Sequence, residues 1–236
     1  MVLDAQIPQG DILTDDAPFT FPFLNASYRT IQMELANNGA ETYSTTAWII
    51  GIPAVTIIDP EARLYINDQG CQIVYPGGGA GTATFLSPQL PTDLLVPTTL
   101  WERQTQTTNP ARHMGQAKGD FSPCAQRAFL CDWMWETDSL VFRGANQVQD
   151  VKMRYEKHLP LLTDPSGTVP IRGVDNAAAY EVAKLYTGSR GGTVAPWAAE
   201  LGTEEISKLA VQTARRQQHT SHRRQPYSGR GSRNYF

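Results

Sequence analysis

Apolar positions near the start of the chain recur at helical spacing. One stripe consists of Leu24, Tyr28, Ile31 and Leu35. Such a stripe forms one face of an amphipathic helix, and it predicts a helix over about residues 24–38. Asn25 and Ser27 are candidate N-caps, and Gly39 is expected to end the helix in the left-handed conformation.

From Thr42 the pattern changes to one typical of β-strands. "TYSTTAWIIGIPAVTIID" is rich in β-branched and aromatic residues, and in "ARLYIND" Leu64 and Ile66 alternate with polar neighbours, so both stretches predict strands. "LPTDLLVPTTLWERQTQTT" is also expected to be extended, because Pro91 and Pro97 argue against an uninterrupted helix.

The clearest β-hairpin signal is "LCDWMWETDSLVFRGA". Trp133 and Trp135 alternate on one arm, "ETD" is expected to turn, and Leu140 and Phe142 alternate on the other arm. "DVKMRYEKHLPLL" predicts one more strand, with apolar residues on one face. These are Val151, Met153 and Tyr155.

The last third of the chain returns to helical patterns. "VPIRGVDNAAAYEVAKLYTG" predicts a helix with Asp175 as its cap and Gly188 as its end. Its predicted buried stripe is Val174, Ala178, Val182 and Leu185. A second helix is predicted to begin at Pro196, with its acids early and its bases late, as the helix dipole favours. Its stripe is Ile206, Leu209 and Thr213.

These elements predict an α+β fold: a small helical bundle of one N-terminal and two C-terminal helices, a central antiparallel β region and an extended C-terminal arm. We expect an N-terminal arm over residues 1–20 and a single α+β domain over 21–218 with a β-rich middle at 42–157. A basic, aromatic arm follows over 219–236. The chain has 236 residues, which is enough for a substantial core.

Charge is distributed unevenly along the chain. Residues 208–236 carry seven Lys or Arg and no acid, whereas residues 1–207 carry 13 basic and 23 acidic residues, a net charge of −10. No secretory signal or membrane-spanning apolar stretch is visible, and the three cysteines lack CxxC spacing. We therefore expect a soluble protein that is made in the cytoplasm and contacts no membrane.

No catalytic or cofactor motif stands out. "PGGGAGTATF" lacks the Lys and Ser or Thr of a phosphate-binding loop, so a flexible loop between strands is the better interpretation. His219 and His222 have no acidic or cysteine partner at metal-ligand spacing, and no serine lies in GxSxG. The sequence predicts neither an enzyme nor a bound cofactor or metal.

The C-terminal arm is the main candidate for a binding segment. Guanidinium groups alternate there with aromatic rings, at Arg215, Arg216, Arg223, Arg224, Tyr227, Arg230, Arg233, Tyr235 and Phe236. Such a segment can pair with phosphates and stack on bases, or it can dock on an acidic protein surface. A third interpretation is a solvated terminus without a specific contact.

The order of these features resembles the head-to-tail connector proteins of tailed bacteriophages, also called adaptor, head-completion or upper tail-tube proteins. The resemblance depends on the sequence from "YRTIQMELANNGAE" through "LPTDLLVPTTLWER", "WMWETDSLVF", "DVKMRYEKHLPLL" and "IRGVDNAAAYEVAKLY" to the basic terminal arm. It covers most of the chain from about residue 24. The Gly-rich "PGGGAG" stretch departs from the pattern of this family. A role as another component of the phage tail therefore remains an alternative.

The resemblance implies a virion structural protein in the neck between capsid and tail. Its expected partners are further copies of itself in a ring, commonly of twelve, the portal protein, a tail or neck protein, and the genomic DNA that passes through the channel. The C-terminal arm would dock on the portal, and an acidic channel wall would let DNA slide. The alternative is a nucleic-acid-binding module that uses the basic, aromatic tail.

Overall fold

The chain folds into two compact units, and the computed structural model describes most of both. It describes residues 17–55, 62–75, 81–117, 119, 121, 128–163, 167–189 and 191–221, the backbone alone for 17–20 and 215–221. Unit 1 comprises Met1–Tyr43 and Leu159–Phe236, and unit 2 comprises Ser44–His158. Within the residues described, the strands lie in unit 2 and the helices lie in unit 1. The predicted α+β class is confirmed, while the predicted domain limits and terminal arms stay predictions.

Unit 1 begins with helix α1 (Ala17–Asn37). The helix starts earlier than predicted and contains Pro22, so the predicted caps were wrong. Ser27 lies inside the helix and donates to the Phe23 carbonyl at 2.8 Å. Asn25 instead binds the backbone of Leu162 twice, with its amide donating at 3.0 Å and its oxygen accepting at 2.8 Å. Proline removes one backbone hydrogen bond but did not prevent the helix from extending through it.

The end of α1 confirms the prediction at Gly39. This residue has φ +71°, and the Ala40 N–H donates to the Leu35 carbonyl at 2.9 Å while the Gly39 N–H donates to the Ala36 carbonyl at 2.9 Å. This is a Schellman motif, in which a left-handed glycine lets two backbone donors satisfy the last carbonyls of the helix.

Helices α2 (Asp175–Ser189) and α3 (Pro196–Ser221) pack with α1. Pro196 begins α3 as predicted. Helix α2 does not end at Gly188: its closing glycine is Gly191, with φ +71°, and the Gly192 N–H donates back to the Thr187 carbonyl at 3.0 Å. The positive φ, not the first glycine in the sequence, marks the end.

The buried face of α2 also differs from the predicted stripe. Val174 and Ala178 are buried, but Val182 and Leu185 are only half-buried. The face includes smaller and unexpected residues, namely Ala177, Ala179, Glu181, Ala183 and Tyr186. Because α2 contacts both other helices, it buries a wider sector than a single stripe, and alanines permit the close approach.

The described residues of unit 2 form ten strands in two sheets. In chain order they are β1 (Ser44–Ile52), β2 (Arg63–Asn67), β3 (Gly70–Val74), β4 (Ala83–Phe85), β5 (Leu94–Gln104), β6 (Arg112–His113), β7 (Gly115–Gln116), β8 (Asp132–Glu136), β9 (Ser139–Arg143) and β10 (Gln149–Lys157). Sheet A has the order β1-β10-β5-β6, and sheet B has the order β4-β3-β2-β9-β8-β7. The pairs are antiparallel as predicted, except that β7 runs parallel to β8.

The predicted hairpin is confirmed as β8 and β9. Trp133 lies opposite Phe142 and Trp135 opposite Leu140. Thr137 and Asp138 form the turn with φ of 44° and 59°, a conformation that suits a two-residue hairpin turn because it matches the strand twist.

One core joins the inner faces of the two sheets. Sheet A contributes residues that include Ile49, Leu100, Val151 and Met153, and sheet B contributes residues that include Leu64, Ile66, Trp133 and Phe142. The alternation predicted for β2 and β10 therefore places the expected residues inside.

We predict that Phe142→Ala lowers the free energy of unfolding of unit 2 by about 3–5 kcal/mol, because it removes a fully buried ring and leaves a cavity. Urea unfolding followed by tryptophan fluorescence measures this, since four of the five tryptophans lie in unit 2. Phe85→Ala is the matched control: Phe85 is exposed on β4, so its loss costs under about 1 kcal/mol. Equal costs for the two variants would contradict the assigned core.

Candidate functional site

The outer face of sheet A carries a row of aromatic and cationic side chains. Strand register aligns Trp48 on β1 with Lys152 on β10, and Lys152 with Trp101 on β5. Trp101 in turn pairs with His113 on β6. Since the neighbouring positions Ile49, Val151 and Leu100 are buried in the core, strand alternation places this row on the opposite face.

Direct contacts connect the row. The guanidinium carbon of Arg103 lies 4.2 Å from the centre of the Trp48 ring, and Lys152 Nζ lies 5.9 Å from the centre of the Trp101 ring. His113 meets Trp101 edge to face at 6.1 Å. Cations over tryptophan faces are attracted by the ring quadrupole. We use the name outer face of sheet A for the side chains of Trp48, Trp101, Arg103, His113, Lys152 and Arg154.

Asp150 anchors one end of that face. Its carboxylate accepts hydrogen bonds from the Thr105 hydroxyl at 2.7 Å and the Gly51 N–H at 3.1 Å. Its other oxygen lies 3.6 Å from Arg103 Nε, and the side chain is almost fully buried. The carboxylate thereby holds Arg103 against Trp48 and stabilises β1 at Gly51, where φ is +76° and the register to β10 shifts.

Strand β1 is the edge of sheet A and is nine residues long. Two side chains on its outer face are apolar and accessible, since Trp48 is 41% exposed and Ile50 is 63% exposed. The other two, Ser44 and Thr46, are polar and exposed. An edge strand presents unpaired backbone donors and acceptors, and proteins usually shield such edges with charges or prolines. Strand β1 contains neither a charged residue nor a proline. Its edge is therefore suited to pairing with a strand of another chain.

A buried carboxylate connects the two sheets of unit 2. Glu102 on β5 accepts the Leu130 N–H at 2.7 Å and the Cys131 N–H at 3.2 Å, just before β8 of sheet B. Burial raises the pKa of the Glu102 carboxyl, and the two backbone donors together with the charge of Arg112 counter part of that rise. Cys131 has φ +66°, an uncommon conformation for a residue with a side chain.

The arm predicted as the binding segment falls mostly outside the described residues. Arg215 and Arg216 lie on α3, of which only the backbone is described there, and Arg223, Arg224, Tyr227, Arg230, Arg233, Tyr235 and Phe236 lie beyond it. The docking role of these residues stays a prediction.

Sequence reasoning missed the outer face of sheet A. Its signal was present in "TLWERQ" and "VKMRY", where aromatic or cationic residues alternate with buried ones, and in the single Trp48 of "TTAWII". The row exists because four strands, β1, β10, β5 and β6, pair in one register.

Within the described ranges, no group of three or more His, Cys, Asp or Glu side chains could hold a metal ion. None of the helices in that part of the chain is long and apolar enough to cross a membrane. No protein-family model matches the chain, and no curated protein matches its sequence.

We predict that Glu102→Gln changes the pH dependence of stability. The pKa of this carboxyl is near 4.5 in the unfolded chain and higher in the folded chain. Between these two pKa values the folded chain holds more protons than the unfolded chain, so wild-type stability falls as pH rises. Glutamine does not titrate. The stability advantage of wild type over the variant should therefore be largest below about pH 4.5 and decline as pH rises.

Urea unfolding between pH 4 and pH 8 measures this difference. Glu136→Gln, which removes an exposed carboxylate from β8, is the control for the loss of one carboxyl group. A wild-type advantage over Glu102→Gln that grows with pH would show that the folded pKa is lowered instead.

Proposed function

We propose that the chain is a virion structural protein that forms an oligomeric ring joining the capsid portal to the tail and lining the passage for DNA. The observation that carries this proposal is edge strand β1, which is long, free of charge and proline, and bears accessible Trp48 and Ile50. The α+β order of one helix, a β region and two helices also agrees with what the resemblance to phage connectors implies.

The edge strand supports assembly because each copy offers backbone groups and apolar side chains for a neighbour. A strand added at β1 would hydrogen-bond with the side of β1 that pairs with no other described strand. Burying Ile50 and part of Trp48 would add a hydrophobic contribution of about 25 cal/mol per Å². A ring made of repeated contacts of this kind needs no other ligand.

The charge distribution supports the two further parts of the proposal. Residues 1–207 have a net charge of −10, and a wall of negative potential repels DNA and so favours sliding over binding. The basic, aromatic C-terminal arm would dock on the portal, with Arg side chains pairing with carboxylates and rings anchoring in apolar pockets. The proposal gives the chain no catalytic role.

We predict that Ile50→Lys disrupts the ring, because lysine on an edge strand opposes pairing with another strand. Electron microscopy and sedimentation velocity of the purified protein, alone and co-expressed with its portal, measure assembly. Wild type should form closed rings that stack on the portal, and the variant should need at least about a tenfold higher concentration to assemble.

Val211→Lys is the matched control, since Val211 is also β-branched, 51% exposed, and lies on α3 of unit 1. The control should assemble like wild type. A monomeric wild-type protein that ignores the portal would contradict the connector proposal, and unchanged rings in Ile50→Lys would contradict the role of β1.

A second candidate, a nucleic-acid-binding module, is favoured by the outer face of sheet A. Aromatic rings interleaved with Lys152, Arg154 and Arg103 match the platforms on which single strands stack their bases while cations pair with phosphates. Under this alternative, the basic, aromatic tail would add further phosphate contacts.

Salt dependence tests the second candidate. If the chain binds nucleic acid, the logarithm of the binding constant for a labelled single-stranded oligonucleotide should fall linearly with the logarithm of the salt concentration. The double variant Lys152→Gln/Arg154→Gln should reduce the slope of that line by about one to two. Lys184→Gln/Lys208→Gln, which removes two exposed cations of α2 and α3, is the control. No binding, or equal slopes for both double variants, would remove this candidate.

A further inference from the structure

A cleft in unit 2 carries aromatic, acidic and apolar side chains. It has a volume of about 400 Å³ and lies where the β2–β3 turn, the β8–β9 turn and the start of β5 meet. Asp68 and Asp138 come from the two turns, Trp135 comes from β8, and Leu90 and Leu94 supply apolar surface. The cleft is separate from the outer face of sheet A, with which it shares no residue.

The two carboxylates of the cleft are available to a ligand. Neither Asp68 nor Asp138 forms an ion pair or a side-chain hydrogen bond with any other described residue, and both are exposed. The nearby Asp93 differs, because its carboxylate already accepts the Tyr155 hydroxyl at 2.9 Å and lies 3.6 Å from Lys157 Nζ. The described lining contains no Lys or Arg.

Trp135 adds a second feature suited to a cation. Trp48 and Trp101 already carry Arg103 and Lys152 over their rings. No cation within the described part of the chain lies over Trp135, which is only half-buried. A guanidinium placed against this ring and between two carboxylates would gain both a cation–π contact and charge-assisted hydrogen bonds.

We propose that this cleft binds the C-terminal segment of a second copy of the chain, residues 222–236. Charge complementarity identifies the occupant: the segment contains four Arg, no acid, and three rings that can pack on the leucines. Fifteen residues reach about 50 Å when extended, long enough to leave one copy and enter another. The inference stands on the cleft and the segment alone and requires neither a portal nor a closed ring.

The inference also has a consequence for the arm. If the same segment docks on the portal, a second copy and the portal compete for it. Free protein would then keep its arms bound to other copies, and portal binding would release them.

The test uses a labelled synthetic peptide of residues 222–236 and the intact protein, with binding followed by fluorescence anisotropy. The protein titration begins well below the concentration at which copies associate, so that arms of other copies do not compete with the peptide. We expect saturable binding that weakens about fivefold or more in Asp68→Asn/Asp138→Asn, since two carboxylate pairings are lost. Asparagine suits Asp138 because it tolerates the positive φ of 59° there. Glu200→Gln/Glu204→Gln removes two charges from α3 and should leave peptide affinity unchanged.

Variants of the peptide test the contribution of its rings and its Arg side chains without any change to the protein. Replacing Tyr227, Tyr235 and Phe236 by Ala should weaken binding, and so should replacing the four Arg by Gln. Absent binding, or equal affinity in the two double variants of the protein, overturns the proposal. Equal affinity for the ring-free peptide also overturns it, because the cleft would then accept any polycation. Since no portal is present, these outcomes do not depend on whether the connector proposal is correct.

Discussion

The buried carboxylate of Glu102 is the constraint on which the arrangement of unit 2 depends. It extends from sheet A to the backbone N–H groups of Leu130 and Cys131 at the entry to sheet B. Next to it the chain changes sheets within a few residues. Met114 donates to the Leu100 carbonyl on one side, and Gly115 donates to the Cys131 carbonyl on the other. A Cβ at Gly115 would meet Asp132 Oδ1 at 2.5 Å, so a larger residue there requires the Asp132 side chain to move. Buried polar groups are costly unless satisfied, so this corner has one well-defined geometry.

Unit 2 has two surfaces of opposite charge, one that bears cations and one that bears carboxylates. On the outer face of sheet A, cations lie over tryptophan rings, and Asp150 fixes one of them. In the cleft, Trp135 lines the same cavity as the carboxylates of Asp68 and Asp138, and no cation within the described residues lies over its ring. The first surface has its charges largely satisfied from within the chain. The carboxylates of the second surface have no partner among the described residues and are available to a ligand. The second surface therefore gives the better support for a binding partner.

Local pattern was sufficient to predict the elements but not the sites. Alternation placed Leu64, Ile66 and Trp133 in the core and gave the β8–β9 hairpin, because a period of two determines which side chains are buried. The start of α1 was wrong, since Asn25 pairs with Leu162, a partner 137 residues away. The end of α2 was wrong because only φ distinguishes Gly191 from Gly188. Both candidate surfaces depend on strand pairing between distant segments, which no local pattern specifies.

Unit 2 also has its two ends side by side. Ser44, its first residue, pairs with Glu156 near its last, so β1 and β10 begin and finish the unit as neighbouring strands. The chain therefore enters and leaves the β unit at one place, as an inserted domain does. Such a unit can be exchanged as a module: a different β unit with adjacent ends could replace it between Tyr43 and Leu159 without lengthening the helical chain on either side.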